Sequence, residues 1–276
     1  MAGEVILVTG ATDGLGRAVA GELALAGASV LVHGRDSERI ERTTSELDAA
    51  GSYRADFASL ADVRDLAERV LAERDRLDVL VNNAGVGSTL PGGGRRLESQ
   101  DGYELRFAVN YLAEFLLTSL LEPLLARSAS ARIVNVSSAG QMPIDFDDVM
   151  LDRAYDGTRA YCQSKLAQVM HTFDLAERLA GSGVSANCLH PATYMPTKIV
   201  LAARGSPMSS LEEGVRATTR LVNDPALDGV SGRYFDGMDE APAHTQAYDP
   251  DARRRLRELS VRLITEAIGS VPLPAP

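Results

Sequence analysis

The chain lacks tryptophan, has only two cysteines, and carries 28 Lys and Arg residues against 38 Asp and Glu. Without tryptophan, aliphatic side chains must fill most of the core, and an apolar content of 45% over 276 residues suits one large α/β domain or two small ones. The net charge of −10 argues against nucleic acid and against an anionic membrane surface as partners.

The scarce residues also bear on compartment and metals. Cys162 and Cys188 fit no zinc signature, and two cysteines this far apart do not indicate a disulfide framework, which favours a reducing compartment. The four histidines show no metal-site spacing. Met1 is followed almost at once by a strand-like run, and no apolar run is expected to approach membrane-spanning length. We therefore expect a cytoplasmic protein without a metal, a signal peptide or a membrane span.

Apolar runs alternate with helical patterns along the chain. Strands are predicted at 5–8, 29–32, 53–55, 78–81, 132–136 and 184–189. Helices are predicted at 15–27, after a cap at Asp36 or Ser37, around the apolar residues between Val63 and Leu71, and at 99–126, 158–180 and 249–268. Pro123 is expected to kink the long helix 99–126 near its end. This alternation predicts βαβ units, hence an α/β fold with a doubly wound parallel sheet in one domain spanning 1–276.

Two segments interrupt the alternation after strand ends, where doubly wound sheets bind ligands. The insertion 141–157 is rich in aspartate, and the segment 192–210 contains the breakers Pro196, Gly205 and Pro207. The second segment is predicted to be a mobile apolar flap over a hydrophobic ketone, aldehyde or alcohol. The alternative is that its apolar residues pack against one another or a partner subunit. They are Tyr194, Met195, Ile199, Val200, Leu201 and Met208.

A glycine-rich turn joins the first predicted strand to the first helix, with the sequence Thr9-Gly10-Ala11-Thr12-Asp13-Gly14-Leu15-Gly16. Gly10 allows a sharp turn, and Gly14 and Gly16 let backbone N–H groups approach a pyrophosphate at the helix N-terminus. A tight turn without a ligand is the alternative.

Tyr161 and Lys165 lie one helical turn apart, so both side chains leave the same helix face. An ammonium group beside a phenol favours the phenolate and lowers the tyrosine pKa. Such a pair suits proton transfer near neutral pH, although most Tyr-x-x-x-Lys pairs are ordinary helix surface.

Taken together, the motifs resemble the short-chain dehydrogenase/reductase family, and the match covers about residues 3–238. The turn has that family's T-G-x-x-x-G-x-G spacing, and further family motifs follow in order: Asp56, Asn82-Asn83-Ala84-Gly85, Asn110, Ser137-Ser138, Tyr161 with Lys165, and His190-Pro191. The resemblance implies a Rossmann-type sheet of about seven strands. The insertion, the Tyr-Cys-Gln-Ser-Lys-Leu-Ala run and a strand at 232–235 resemble the retinol dehydrogenase-like branch.

The resemblance also implies a dinucleotide site. Asp56 is expected to bond the adenine amine and Asn83 to support the adenine ribose; the alternatives are a helix cap for Asp56 and bonds to loop backbone for Asn83. The other residues expected around the cofactor are Gly10, Thr12, Asp13, Gly14, Leu15, Gly16, Phe57, Ala84, Gly85, Tyr161, Lys165 and Pro191.

Cofactor choice depends on His33-Gly34-Arg35-Asp36. An NAD site places a carboxylate at the family position that is Gly34 here, whereas Arg35 is suited to clamp the 2′-phosphate of NADP(H). The sequence therefore predicts NADP(H), with NAD(H) still possible because Asp36 could reach the ribose. Capping of the next helix is the other interpretation of Asp36.

Catalytic roles also come from the resemblance. Tyr161 is the expected general acid and base, Lys165 its partner, Ser138 the donor to the carbonyl oxygen, and Asn110 the ligand of a water linking Lys165 to solvent. The alternatives are a turn cap for Ser138 and a buried amide bonded to backbone for Asn110. The gap of 23 residues between Ser138 and Tyr161 exceeds the family's usual spacing, which we attribute to the insertion.

The segment His190-Pro191-Ala192-Thr193 has alanine where the family favours glycine. Either Thr193 or Thr197 could contact the nicotinamide carboxamide, and His190 is expected to be structural. Family members often form homodimers or homotetramers through the two long helices. Besides an oxidoreductase, the sequence leaves open a dinucleotide-binding sensor without catalysis, and a lyase or epimerase that uses the cofactor transiently.

Overall fold

An eight-stranded sheet forms the centre of the protein in the computed structural model, which describes residues 3–88, 95–196 and 206–275. The strand order is β3-β2-β1-β4-β5-β6-β7-β8; all neighbours are parallel except β7 and β8. This confirms the predicted doubly wound α/β fold, with an antiparallel strand added at one edge. The strands are β1 Val5–Val8, β2 Ser29–Gly34, β3 Gly51–Arg54, β4 Val79–Asn82, β5 Ala131–Val136, β6 Val184–His190, β7 Tyr234–Asp236 and β8 Asp239–Glu240.

Helices cover both faces of this sheet. Strand β1 shows why: Leu7 belongs to one buried apolar cluster, whereas its neighbours Ile6 and Val8 belong to another on the opposite face. The helices in the described part of the chain are α1 Gly14–Leu25, α2 Ser37–Leu47, α3 Leu60–Glu73, α4 Leu105–Leu125, α5 Gly157–Arg178, α6 Leu211–Asn223 and α7 Pro250–Ile268. Most match the predicted segments closely, whereas α6 was not predicted.

The long helix α4 starts later than predicted. Residues 99–104 form a turn instead, in which Gly102 has a φ of +83° and Glu98 pairs with Glu104 as an isolated bridge. The Glu104 carboxylate then caps the helix by accepting a hydrogen bond from Phe107 N at 2.8 Å. Pro123 lies inside the last turn of the helix, as expected.

In composition, α4 also differs from expectation. Leu105–Leu125 is long and apolar enough to cross a membrane, with a mean hydropathy of 1.2, so the expectation that no run approaches that length was wrong. However, 89% of this stretch is buried inside the protein, which is typical of a core helix.

The C-terminal helix α7 packs across the two long helices. Tyr111 of α4 lies 2.7 Å from Ser260, hydroxyl to hydroxyl, and Arg257 forms an ion pair with Asp174 of α5. Because these contacts bury part of both long helices within one chain, a homodimer or homotetramer through that face would have to displace α7. The predicted oligomer remains untested.

The insertion 141–157 packs onto the domain, with its apolar residues in the core. Ile144, Val149 and Leu151 are buried. Gln163 of α5 holds the insertion by donating to Val149 O at 2.8 Å. Gln246 holds it from the other side with two hydrogen bonds to the backbone of Ile144.

Candidate active site

The glycine turn between β1 and α1 packs closely against the first turn of α1. Gly10 has a φ of +65°. A Cβ at Gly16 would lie 2.4 Å from Gly10 O, so only glycine allows this close approach of turn and helix. Asp13 caps α1 by accepting from Gly14 N at 2.9 Å. The turn and the N-terminus of α1 therefore form a backbone cradle that fits the pyrophosphate of a dinucleotide.

Hydrogen bonds fasten this turn to the loop after β4. The Thr9 hydroxyl accepts from Asn83 N at 2.9 Å and from Ala84 N at 3.0 Å. The Asn83 amide donates to Thr9 O at 2.9 Å, so the loop-backbone role weighed for Asn83 is present in the structure. A ribose contact by Asn83 remains a prediction.

His33 is a structural anchor of the turn that the sequence analysis missed. Its Nδ1 accepts from Gly10 N at 3.1 Å, and its Nε2 lies 3.2 Å from Ala55 O. Since Gly10 N–H can only donate and Ala55 O can only accept, the ring is neutral with its hydrogen on Nε2. Its ring stacks on Phe57 with centroids 4.4 Å apart, and burial lowers its pKa to about 4.

The residues expected near the adenine lie at the end of β3. Asp56 accepts from Ala58 N at 3.0 Å, a bond within the turn. Ser59 caps α3 by accepting from Asp62 N, so the helix-cap alternative for Asp56 was wrong. The side chain of Phe57 is occupied by the stack on His33. An adenine contact by either residue remains a prediction. Gly85 lies on the other side, where an added Cβ would be 3.1 Å from Asn110 Oδ1 and 3.8 Å from Lys165 Nζ.

The end of β2 disfavours a carboxylate at the NAD position. A Cβ on Gly34 would lie 2.6 Å from Thr12 Cγ2, so a larger residue would force the Thr12 side chain in the glycine turn to shift. Arg35 is exposed beside it, and its carbonyl accepts from Arg54 Nε at 3.2 Å. The cationic side chains near this strand end thus favour a phosphate over a ribose hydroxyl.

Asp36 is used as a helix cap. Its carboxylate accepts from Arg39 N at 3.0 Å at the start of α2. Arg39 in turn forms an exposed ion pair with Asp13, Nη1 to Oδ2, at 3.3 Å. The capping interpretation of Asp36 therefore holds, and the same residue contributes a negative charge next to Arg35.

Ser138 and Tyr161 lie close together although they are 23 positions apart in the sequence. An added Cβ on Gly140 would lie 3.5 Å from Ser138 Oγ and 3.9 Å from Tyr161 Cε1, so both side chains flank the same glycine. The Ser138 hydroxyl also accepts from Gly140 N at 3.0 Å. The turn-capping role and the contact with Tyr161 thus coexist.

The pKa of Tyr161 differs from the sequence expectation. Burial raises it above its ordinary value, and the Ser138 hydroxyl opposes this rise. Lys165 Nζ is 5.9 Å from the centroid of the Tyr161 ring, but burial sets the direction of the shift. The expectation that Lys165 alone makes the net shift of the Tyr161 pKa downward was therefore wrong.

Lys165 is held at the bottom of the site. Its ammonium donates to Val136 O at 2.9 Å and to Gln168 Oε1 at 2.7 Å. Burial lowers its pKa to about 8, and the charge of Glu114 raises it. Lys165 and Tyr161 do leave the same helix face, as predicted from their spacing.

Asn110 lies in a π-helical turn of α4, Ala108–Leu112, of a kind often found at functional sites. Its amide donates to Ser164 Oγ at 2.9 Å and to Val86 O at 3.1 Å, and its Oδ1 accepts from Val86 N at 2.7 Å. The side chain is thus bonded as a buried amide, the alternative considered for it. Its place beside Lys165 is as expected, and water binding remains a prediction.

The segment after β6 is described as far as residue 196. His190 Nε2 lies 3.0 Å from the hydroxyl of Thr193, an exposed residue, while Pro191 is buried. Thr197 lies outside the described residues, so the choice between Thr193 and Thr197 as the nicotinamide contact stays open.

The apolar flap is only partly supported. Met195 is buried against α6, where its sulfur lies 2.2 Å from the position of a Cβ on Gly214. This matches the alternative that flap residues pack within the protein. Tyr194 and Met208 are exposed and linked by a backbone hydrogen bond of 2.9 Å. Ile199, Val200 and Leu201 lie outside the described residues.

Known proteins share both the sequence and the fold. The family model described as short chain dehydrogenase matches residues 4–204. The chain belongs to the short-chain dehydrogenase family. Retinol dehydrogenase 13 of Mus musculus is 38% identical over 97% of this chain and 85% of its own length. As members of this family are oxidoreductases, the predicted enzyme class is confirmed, and so is the resemblance to the retinol dehydrogenase-like branch.

Solved structures of the family agree with this fold. A crystal structure of an uncharacterised protein from Mycobacterium paratuberculosis matches with a TM-score of 0.76 and 28% identity, covering 96% of this chain and 94% of that one. The RhlG/NADP active-site complex of Pseudomonas aeruginosa matches with a TM-score of 0.70 and 29% identity, covering 87% of this chain and 96% of that one. A nicotinamide dinucleotide is therefore the cofactor class of this family member.

Proposed function

We propose that this protein is an NADP(H)-dependent oxidoreductase that interconverts a hydrophobic carbonyl compound and its alcohol. The observation that carries the proposal is that the side chains of Ser138 and Tyr161 both flank Gly140, with Lys165 on the same helix face as Tyr161. Two hydroxyl groups that converge on one point can bind a carbonyl oxygen and exchange a proton with it.

The proton transfer is assigned to Tyr161. In carbonyl reduction its phenol donates a proton to the substrate oxygen, and in alcohol oxidation its phenolate takes one. Ser138 donates a hydrogen bond to the same oxygen, where negative charge develops. NADP(H), when bound, supplies or accepts the hydride. Lys165 would hold the nicotinamide ribose, and its charge favours the phenolate.

The choice of NADP(H) is supported by two features of β2. A side chain at Gly34 would force the Thr12 side chain to shift, which disfavours an acidic residue there, and Arg35 is exposed beside it. The cradle of the glycine turn would hold the pyrophosphate. An NADP complex among the structural relatives is consistent with this preference.

The hydrophobic substrate class is supported by exposed apolar side chains near Tyr161. Met142 and Tyr194 are both about two-fifths exposed, at 40% and 39%. Met142 N donates to the carbonyl of Cys162, the neighbour of Tyr161 in the sequence. Relatives named retinol dehydrogenase suggest that the substrate is apolar, but they do not identify it.

The experiment is a panel of aliphatic, aromatic and terpenoid carbonyls and alcohols, assayed by nicotinamide absorbance with NADPH, NADP, NADH and NAD. Net oxidation or reduction with the phosphorylated cofactor is the expected result. Conversion of substrate without net change of the cofactor would indicate a lyase or epimerase, and binding without conversion a sensor. Either of these outcomes would overturn the proposal.

Cell fractionation of the same protein tests the cytoplasmic location, which remains a prediction.

A further inference from the structure

A buried chain of polar side chains leads from Lys165 towards α4. Gln168 accepts from the Lys165 ammonium at 2.7 Å, and its amide nitrogen donates to Glu114 of α4. The other Glu114 oxygen lies 3.3 Å from His171 Nδ1. Lys165, Gln168, Glu114 and His171 are each at least 95% buried.

The direction of these hydrogen bonds indicates the charges at the two ends. An ammonium can only donate and a carboxylate can only accept, so Gln168 must present its oxygen to Lys165 and its nitrogen to Glu114. The amide dipole then points its negative end at the cation and its positive end at the anion. The arrangement joins a buried positive charge to a buried negative one through a single polar bridge.

His171 supports the charge on Glu114. Its Nδ1–H donates to the carboxylate, while its Nε2 has no hydrogen-bond partner among the described residues. The ring packs against Phe115 with centroids 4.8 Å apart. Glu114 is 2% exposed, so it interacts mainly with its protein partners and is poorly screened by solvent from Lys165.

We propose that Glu114, acting through Gln168, is a positioning residue that keeps the Lys165 ammonium charged and oriented in the active site. An isolated lysine buried this deeply loses its proton readily, because burial disfavours the charged form. Tyr161 and His190 also face Lys165, and Tyr111, His171 and Cys188 face Glu114. Glu114 is the acidic group among these that opposes the effect of burial on Lys165.

The chain is well suited to a direct test, because it contains only two lysines, Lys165 and Lys198. Protein labelled with carbon-13 at the lysine ε position is titrated by NMR without cofactor, and Lys198→Arg assigns the two signals. In the unaltered protein Lys165 is expected to titrate near a pKa of about 8. In Glu114→Gln the Lys165 pKa is expected to fall by about one pH unit.

Two matched variants separate charge from packing. Glu114→Asp keeps the charge with a shorter side chain, so its Lys165 pKa should stay closer to that of the unaltered protein. Glu122→Gln makes the same change on the same helix at a residue that pairs with Arg178, 2.6 Å away, and should leave the Lys165 pKa unchanged. An unchanged Lys165 pKa in Glu114→Gln, or an equal fall in Glu114→Asp, would overturn the proposal.

The consequence for catalysis rests on the proposed function. In carbonyl reduction, activity needs Lys165 charged, so the fall of kcat/KM on the alkaline side should begin at lower pH in Glu114→Gln than in Glu122→Gln. A protein that reduces no carbonyl would contradict the proposed function. The NMR titration requires no turnover, so it would still decide whether Glu114 holds the charge of Lys165.

Discussion

The backbone N–H of Gly10 donates to Nδ1 of His33 at 3.1 Å, so the turn that would hold the cofactor depends on a buried neutral imidazole. Gly10 has a left-handed φ of +65°, and this bond fixes its amide on the side of β2. His33 belongs to β2, so the glycine turn and the strand whose end is proposed to select the cofactor are coupled directly.

This contact predicts acid sensitivity. The pKa of His33 is about 4 in the folded protein, against 6.5 for an ordinary histidine, so the unfolded chain binds the extra proton more readily. The neutral imidazole stabilises the folded protein fully above pH 6.5, and this stabilisation is lost as the pH falls from 6.5 to about 4. The free energy of unfolding should drop by about 3 kcal/mol in total from this group. Urea unfolding between pH 7 and pH 4 measures the loss. In His33→Gln the free energy of unfolding should depend less on pH over this range, whereas His244→Gln should show the same pH dependence as the unaltered protein.

The proposed proton transfer predicts the effect of Tyr161→Phe. The variant loses only the hydroxyl, so turnover should fall by at least about 100-fold while the dissociation constant of NADPH stays nearly the same. Steady-state kinetics and fluorescence titration measure the two quantities. Tyr248→Phe, a change at an exposed tyrosine, serves as the control. Turnover in Tyr161→Phe comparable to that of the unaltered enzyme would refute the role.

The exposed guanidinium of Arg35 predicts the cofactor preference. The enzyme should show a higher kcat/KM with NADPH than with NADH. Arg35→Ser should lower kcat/KM for NADPH by about 10- to 100-fold, because a charged hydrogen bond to the phosphate is lost, and should change the value for NADH little. Arg216→Ser removes an exposed arginine from α6 and should affect neither. A preference for NADH in the unaltered enzyme would contradict the prediction.

A buried ion pair fixes the loop after β4. Arg106 is fully buried, lies 3.4 Å from Glu104, and donates to the carbonyls of Gly87 and Ser88 at 3.0 and 2.6 Å. It also contacts the hydroxyl of Tyr155 in the insertion. Arg106→Met should destabilise the protein by about 3–5 kcal/mol because it leaves the Glu104 carboxylate buried without its partner.

Urea unfolding measures this cost. The double variant Glu104→Gln with Arg106→Met should be more stable than Arg106→Met alone, because it leaves no buried carboxylate without a positively charged partner. Equal stability of the two variants would show that the ion pair itself contributes little, and that the contacts of Arg106 with the loop carbonyls carry the effect.

The main elements were predictable because their patterns are local. Continuous apolar runs such as Val5–Val8 and helical spacing such as that of Tyr161 and Lys165 need no distant partner to be recognised. The start of α4 was not predictable in this way. Residues 99–104 are mostly polar, and the Gly102 turn and the cap by Glu104 place the start of the helix at Leu105.

The sequence by itself determined the order of the elements, the glycine turn and the identity of the residues in the candidate site, because each is written in a short stretch of chain. Only the tertiary structure decided what surrounds those residues. The contact between Ser138 and Tyr161 depends on where the insertion 141–157 packs. The upward direction of the Tyr161 pKa depends on burial, and the link from Lys165 to Glu114 depends on two helices packing side by side. Desolvation and contact between distant segments arise only when the chain is folded, because both depend on which residues become neighbours in three dimensions, and the spacing of residues along the sequence does not specify this.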